Sequence, residues 1–212
     1  LRKSAGKTVK TCAWDIVVSA RKSFSVAYAL AQDDETRAKL ERAFCASLNQ
    51  FIERIEAATY IRVGGSNTPV PAKPVITCFI HFSSRGGDCQ YHAHLVTQDI
   101  AVAENGRVGA IVSRPYYVRK LMWGALLRCD QAVALQTEFP GLRFRDTANG
   151  PEIAGIPEEV LQHFSKRSHQ IEKELGNLTS KTAKAKALAA LITRDPKQTV
   201  PPLNQQLVRW QS

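Results

Sequence analysis

The run Ile80-His81-Phe82-Ser83-Ser84-Arg85-Gly86-Gly87-Asp88-Cys89-Gln90-Tyr91-His92-Ala93-His94 holds three of the chain's five histidines. Residues two apart on a strand share a face, so His92 and His94 point the same way. A turn about Gly86-Gly87 sets His81 opposite His92, with Cβ atoms about 4.5–5.5 Å apart and His94 as its diagonal neighbour. Three imidazoles then converge on one point. A His-x-His pair alone reads as two ordinary surface or core histidines; the third ring, placed by register, turns the reading toward a metal. Neutral imidazoles suit Zn, Mn, Co, Ni or Cu better than Mg, which prefers oxygen. Three protein ligands leave positions open for substrate, which is the mark of a catalytic rather than a closed structural site.

The surrounding pattern predicts the elements that hold this cluster. Ile76, Cys78, Ile80 and Phe82 alternate with His81 to give one apolar face over Val75–Phe82, and Gln90, His92, His94 and Gln98 give the matching polar face over Gln90–Thr97. A further strand is expected over Cys12–Ser19, with Trp14, Ile16 and Val18 toward a core and Asp15, Val17 and Ser19 on the other side. Apolar residues at three and four spacing predict helix from Phe24 to Thr59, interrupted near Asp33 and Asp34, which can cap a second helix. Gly64–Pro74 reads as a loop and Asn105-Gly106 as a turn into a strand over Val108–Ser113. Pro115 and Pro157 suit the first turns of helices reaching Glu138 and Gly176. Helices are also expected over Ser180–Thr193 and, after Pro201-Pro202, to Trp210. The expected fold is α+β: an antiparallel β-sheet with helices packed on one face and the histidine cluster on the other, which is left free for chemistry.

The 212 residues are enough for one domain, or one domain with an appendage. Lys and Arg number 29 against 19 Asp and Glu, a net charge of +10 that favours a polyanionic partner, nucleic acid ahead of an acidic membrane surface. Five cysteines, widely spaced and without a C-x-x-C pair, argue against a disulfide framework or a zinc knuckle and fit a reducing cytoplasm. No apolar run reaches the roughly 18 residues that span a bilayer, so membrane insertion is not expected. The chain opens on Leu1 rather than Met, and the expectation is that it is part of a longer or processed protein.

The motif His81-x10-His92-x-His94, with Ser84-Arg85-x-x-Asp88 inside it, resembles the metal motif of TrwC/TraI-type (MobF) conjugative relaxases, which are His-hydrophobe-His endonucleases. Trp14-Asp15-Ile16-Val17-Val18-Ser19-Ala20-Arg21-Lys22-Ser23 resembles the family's Asp-hydrophobe-Thr-Phe-Ser-Ala-Pro-Lys-Ser stretch. Glu152-Ile153-Ala154-Gly155-Ile156-Pro157 with Phe164-Ser165-Lys166-Arg167-Ser168 resembles its Gly-Val-Pro and Phe-Ser-x-Arg segment, and Leu191–Lys197 its Thr-Arg-Lys tail. Arg21 stands for the usual Pro, Phe82 for Asp, Cys89 for Pro and Asp99 for Asn.

The resemblance implies a nickase of single-stranded DNA at an origin of transfer, working through a phosphotyrosyl intermediate. His81, His92 and His94 would hold the divalent ion, Mn or Mg in function, with Zn or Ni also accommodated. Asp15 would orient a ligand histidine or accept the tyrosine proton. Phosphate contacts are expected from Arg21, Lys22, Arg85, Arg114, Arg119, Lys166 and Arg167. Lys181, Lys184 and Lys186 read as one solvated helical face, and His163 and His169 as surface histidines. The family's nucleophilic tyrosines lie well upstream of the segment around Asp15, and no Tyr precedes Asp15 here, so the nucleophile is expected outside this chain; Tyr116-Tyr117 read as packing or base-stacking residues. The implied partners are the single strand, relaxosome and type IV secretion components, for a monomer in the bacterial cytoplasm that can reach a recipient cell attached to DNA. Two other readings stay open: a single-strand DNA-binding module without catalysis, and an unrelated three-histidine zinc hydrolase.

Overall fold

The hairpin that carries the histidines is the centre of the molecule. The computed structural model describes residues 2–4, 7–9, 11–62, 68–177, 182–193 and 199–212. The strands are β1 (Arg2–Ser4), β2 (Lys7–Val9), β3 (Ala13–Ser19), β4 (Tyr60–Arg62), β5 (Pro69–Ser83), β6 (Cys89–Ala103), β7 (Val108–Ala110), β8 (Phe144–Arg145) and β9 (Glu152–Ile153). The helices are α1 (Lys22–Leu30), α2 (Asp34–Ala57), α3 (Arg114–Glu138), α4 (Glu158–His163), α5 (Lys166–Gly176), α6 (Ala183–Ile192) and α7 (Leu203–Gln211). The main sheet is antiparallel in the order β3-β6-β5-β4, with β7 on the far end of β6.

One face of that sheet is covered. Val18 of β3 and Tyr91, Ala93 and Leu95 of β6 pack into a buried cluster with Phe24 and Tyr28 of α1, Phe44, Leu48 and Phe51 of α2 and Trp123 and Leu127 of α3. Tyr91 sits at its middle, its ring 4.7 Å from Phe44, 4.9 Å from Tyr28, 5.2 Å from Phe82 and 5.5 Å from Phe24. Its backbone is clamped as well: Ala20 donates to the Tyr91 carbonyl at 2.9 Å and the Tyr91 N–H donates to Ser25 Oγ at 2.9 Å. With residue 91 fixed inward, strand alternation fixes His92 outward.

Alternation of apolar residues is why β3, β5 and β6 fall where they are expected, and Asp33 caps α2 by accepting from the Thr36 N–H at 2.7 Å. Several expectations fail in part: β6 runs on to Ala103, and β7 ends at Ala110 rather than Ser113. The segment Gly64–Pro74 is strand from Pro69 onward, because Val70 pairs with Ile61 of β4 and Ala72 donates to Thr59 at 3.1 Å; residues 64–67 lie outside the described residues. Alternation turns Pro69 and Pro71 toward the other edge, beyond the last β6 partner, where no amide donor is required. The helix from Pro157 to Gly176 is two helices: the Phe164 carbonyl accepts from Lys22 Nζ at 2.8 Å, and Asp88 accepts the Lys166 N–H at 2.8 Å, starting α5 afresh. Cys78 lies exposed while Ile76, Ile80 and Phe82 pack against the core as expected. Of the helix expected from Ser180, residues 180 and 181 lie outside the described residues, as do residues 194–197 of the Thr-Arg-Lys tail; Thr182 caps α6.

Candidate metal centre on the open sheet face

The turn that sets the register is a tight loop over Ser84–Asp88, with Ser84 N donating to Asp88 O at 2.8 Å and Gly87 N to Ser84 O at 3.0 Å. Gly87 takes φ +78°, a left-handed conformation that favours glycine, and a Cβ there would crowd the Arg209 guanidinium at 3.3 Å. Trp210 of α7 donates its indole N–H to the Gly87 carbonyl at 2.9 Å and pins the loop.

This loop puts His81 directly across from His92, while His94 pairs with Phe79 on one side and with Val17 on the other. The three imidazole centroids form a near-equilateral triangle with sides of 5.3, 5.0 and 5.2 Å. One ring nitrogen from each lies within 4.8 Å of the others, the spacing of a three-ligand site.

Each of two rings has its tautomer set by a neighbour. His94 Nδ1 lies 2.7 and 2.9 Å from the carboxylate oxygens of Asp15, and His92 Nδ1 lies 2.8 Å from the Gln90 carbonyl. Both acceptors take an Nδ1–H, so the Nε2 lone pairs are left for a ligand. Burial pushes the His92 ring below the ordinary histidine pKa, which keeps it neutral and able to coordinate. All-nitrogen donors with fixed tautomers and an exposed side toward solvent fit a divalent transition ion with open coordination positions.

The expected phosphate contacts separate into two groups. Lys22 directs its ammonium to the carbonyls of Cys89 at 3.1 Å and Phe164 at 2.8 Å, and burial lowers its pKa. Arg21 pairs with the buried Glu152, which also accepts from the Ser23 amide at 3.0 Å and from its hydroxyl. Arg167 binds the carbonyl end of α6 through Thr193 and Ala190. Lys166 faces Asp88. Arg85 in the hairpin loop and Arg114 and Arg119 on α3 are exposed. Glu152, which ties β9 to the start of α1, is a residue that sequence reasoning misses; its only signal is an acidic residue in an otherwise apolar stretch.

Three of the five tyrosines are unsuited to nucleophilic work. Tyr28, Tyr91 and Tyr116 are buried, and burial raises the pKa of each hydroxyl. Tyr60 lies on β4, across the sheet from β3. Tyr117 is exposed on α3, lining a cleft of about 530 Å³ along the outer edge of β3. His163 and His169 are exposed and remote from the triangle in sequence and element, on α4 and α5. No helix among the described residues is long and apolar enough to cross a membrane.

The described residues thus form an antiparallel sheet covered on one face, with three histidines converging on the other. The chain belongs to the TrwC relaxase family, whose model matches residues 1–212. It is 28% identical over 208 residues to the multifunctional conjugation protein TraI of Escherichia coli strain K12, and 27% identical over 206 residues to a second Escherichia coli TraI. Each alignment covers 89% of this chain and 11% of the relative, so the chain spans about a ninth of those proteins' length. Its fold matches the copper-bound conjugative relaxase TrwC in complex with oriT DNA at a TM-score of 0.83, with 24% identity, 94% of this chain and 69% of that chain covered. The metal-free TrwC complex with oriT DNA matches at 0.82, with 25% identity, 94% and 71% covered.

Proposed function

We propose that this chain is the relaxase domain core of a conjugation protein, a metal-dependent transesterase that nicks single-stranded DNA at an origin of transfer. The observation that carries the reading is the triangle of imidazoles on the bare face of the sheet. Membership of the TrwC relaxase family supports it.

His81, His92 and His94 would hold the divalent ion, Mn or Mg in function, and the same nitrogens would accept Zn or Ni. When bound, the ion polarises the scissile phosphate and neutralises charge developing on its oxygens. Asp15 keeps His94 in the tautomer that presents Nε2, and the Gln90 carbonyl does the same for His92. Arg85, Arg114 and Arg119 supply positive charge for the DNA backbone. A tyrosine hydroxyl attacks phosphorus, the P–O3′ bond breaks, the 5′ side becomes a phosphotyrosine, and the hydroxyl proton ends on the released 3′ oxygen. One phosphoester bond is exchanged for another and no water is consumed. The protein works as a monomer in the bacterial cytoplasm with relaxosome and type IV secretion components, and can enter the recipient attached to DNA.

The test is to incubate the full-length parent protein with an origin-of-transfer oligonucleotide and Mn²⁺ and resolve the products on a denaturing gel. A covalent protein–DNA adduct and a free 3′ fragment are expected from the wild type and not from His92→Ala. Tight binding with no cleavage would favour a purely DNA-binding module, and cleavage without an adduct would favour metal-activated water.

A further inference from the structure

We propose that Phe79, in one cross-strand row with His94 and Val17, is a stacking shelf for a nucleobase of the bound single strand, next to the phosphate held at the histidine cluster. The inference rests on the proposed function and extends it from the phosphate to the base.

The register places three side chains in one row across three strands: Phe79 on β5, His94 on β6 and Val17 on β3. The neighbouring row is His81, His92 and Ser19. Cross-strand neighbours stand about 5 Å apart at Cβ, so the Phe79 ring adjoins a ring of the cluster. Phe79 and Val17 are 51% and 53% exposed, on the face opposite the helices, and neither belongs to the core. A half-exposed phenylalanine beside a ligand histidine keeps part of its ring open to solvent, and that π face suits a purine or pyrimidine.

Distance and charge agree. Phe79 is two residues along β5 from His81, about 7 Å, comparable with the reach from a nucleotide's phosphate to its own base. The next row is Thr77, Val96 and Asp15, and the Asp15 carboxylate is already engaged by His94. A polyanionic strand lying over these rows meets one carboxylate, Asp15, which already accepts from His94, on a chain of net charge +10. Phosphate at the histidines and base on Phe79 would orient the scissile bond from both sides without reading sequence.

The experiment uses the full-length parent protein, a fluorescent mixed-sequence single strand and an abasic strand of equal length, followed by anisotropy. Phe79→Ala is expected to weaken binding of the normal strand roughly ten-fold and to leave the abasic strand unaffected. Its Mn²⁺ affinity by calorimetry should equal that of the wild type. As a second variant, Phe79→Trp should keep wild-type affinity and show added emission that the normal strand quenches and the abasic strand does not. The proposal is overturned if Phe79→Ala binds the normal strand like wild type, if it weakens both strands equally, or if the added tryptophan emission ignores DNA, the outcome expected of a side chain covered by another protein segment. Failure of the wild type to bind any single strand would overturn the proposed function itself, a result distinct from these.

Discussion

Asp15 reaches His94 diagonally: on β3 and β6 the residue directly opposite His94 is Val17, and Asp15 sits opposite Val96, yet its carboxylate closes to 2.7 Å on Nδ1. The carboxylate thereby fixes a ligand ring without entering the cluster. Asp15→Ala should lower divalent-metal affinity by about 10- to 100-fold. The thermal melt of the metal-free protein should stay within about a degree or two, because Asp15 is exposed. Calorimetric Ni²⁺ titration and circular dichroism check both; unaltered affinity would remove Asp15 from the site.

Lys22 works inside the protein. Replacing it by Met leaves the carbonyls of Cys89 and Phe164 without their donor, at a cost of about 1–3 kcal/mol. The urea midpoint of Lys22→Met should fall accordingly, while the salt dependence of single-strand binding stays as in the wild type. A shallower salt slope with unchanged stability would instead make Lys22 a phosphate ligand.

Arg114 and Arg119 make the opposite forecast. Each Ala substitution at these exposed positions should leave the urea midpoint unchanged and make log affinity fall less steeply with log salt, the slope shrinking by about 0.7 for each phosphate no longer neutralised. Slopes equal to that of the wild type would place these charges outside the DNA footprint.

Cysteine reactivity follows burial. The Cys89 thiol is buried and its pKa is pushed up to about 12, so at pH 8 only about one part in ten thousand is thiolate. Iodoacetamide should therefore label Cys12 and Cys129, which are exposed, well before Cys89. Peptide mass spectrometry over a time course reads the order. Because the fraction of thiolate rises with pH, Cys89 labelling should climb about ten-fold per pH unit through this range, and early labelling at pH 8 would contradict its placement.

The histidine hairpin is legible in the sequence because strand alternation, a glycine turn and three chemically distinctive residues all report on the same local geometry. His81 opposite His92 needs no information beyond the segment that contains them. What is illegible depends on partners far along the chain. The break between α4 and α5 comes from Asp88, 78 residues before Lys166, and from Lys22, 142 residues before Phe164. The same distance hides the engagement of Lys22, Arg21 and Arg167: a basic side chain looks alike in sequence whether it meets a phosphate, a buried glutamate or a helix end. Alternation alone puts Val17 and Ser19 on the side of β3 away from the core, but their neighbourhood with the cluster and with Phe79 follows only from the pairing of β3 with β6.

Whether His81, His92 and His94 share one cation is read from a calorimetric titration of this chain with Ni²⁺ or Mn²⁺. One ion per chain is expected, with His81→Ala, His92→Ala and His94→Ala each strongly weakening binding while the circular dichroism spectrum stays native. Undiminished metal binding in any one of the three folded variants would contradict the shared site.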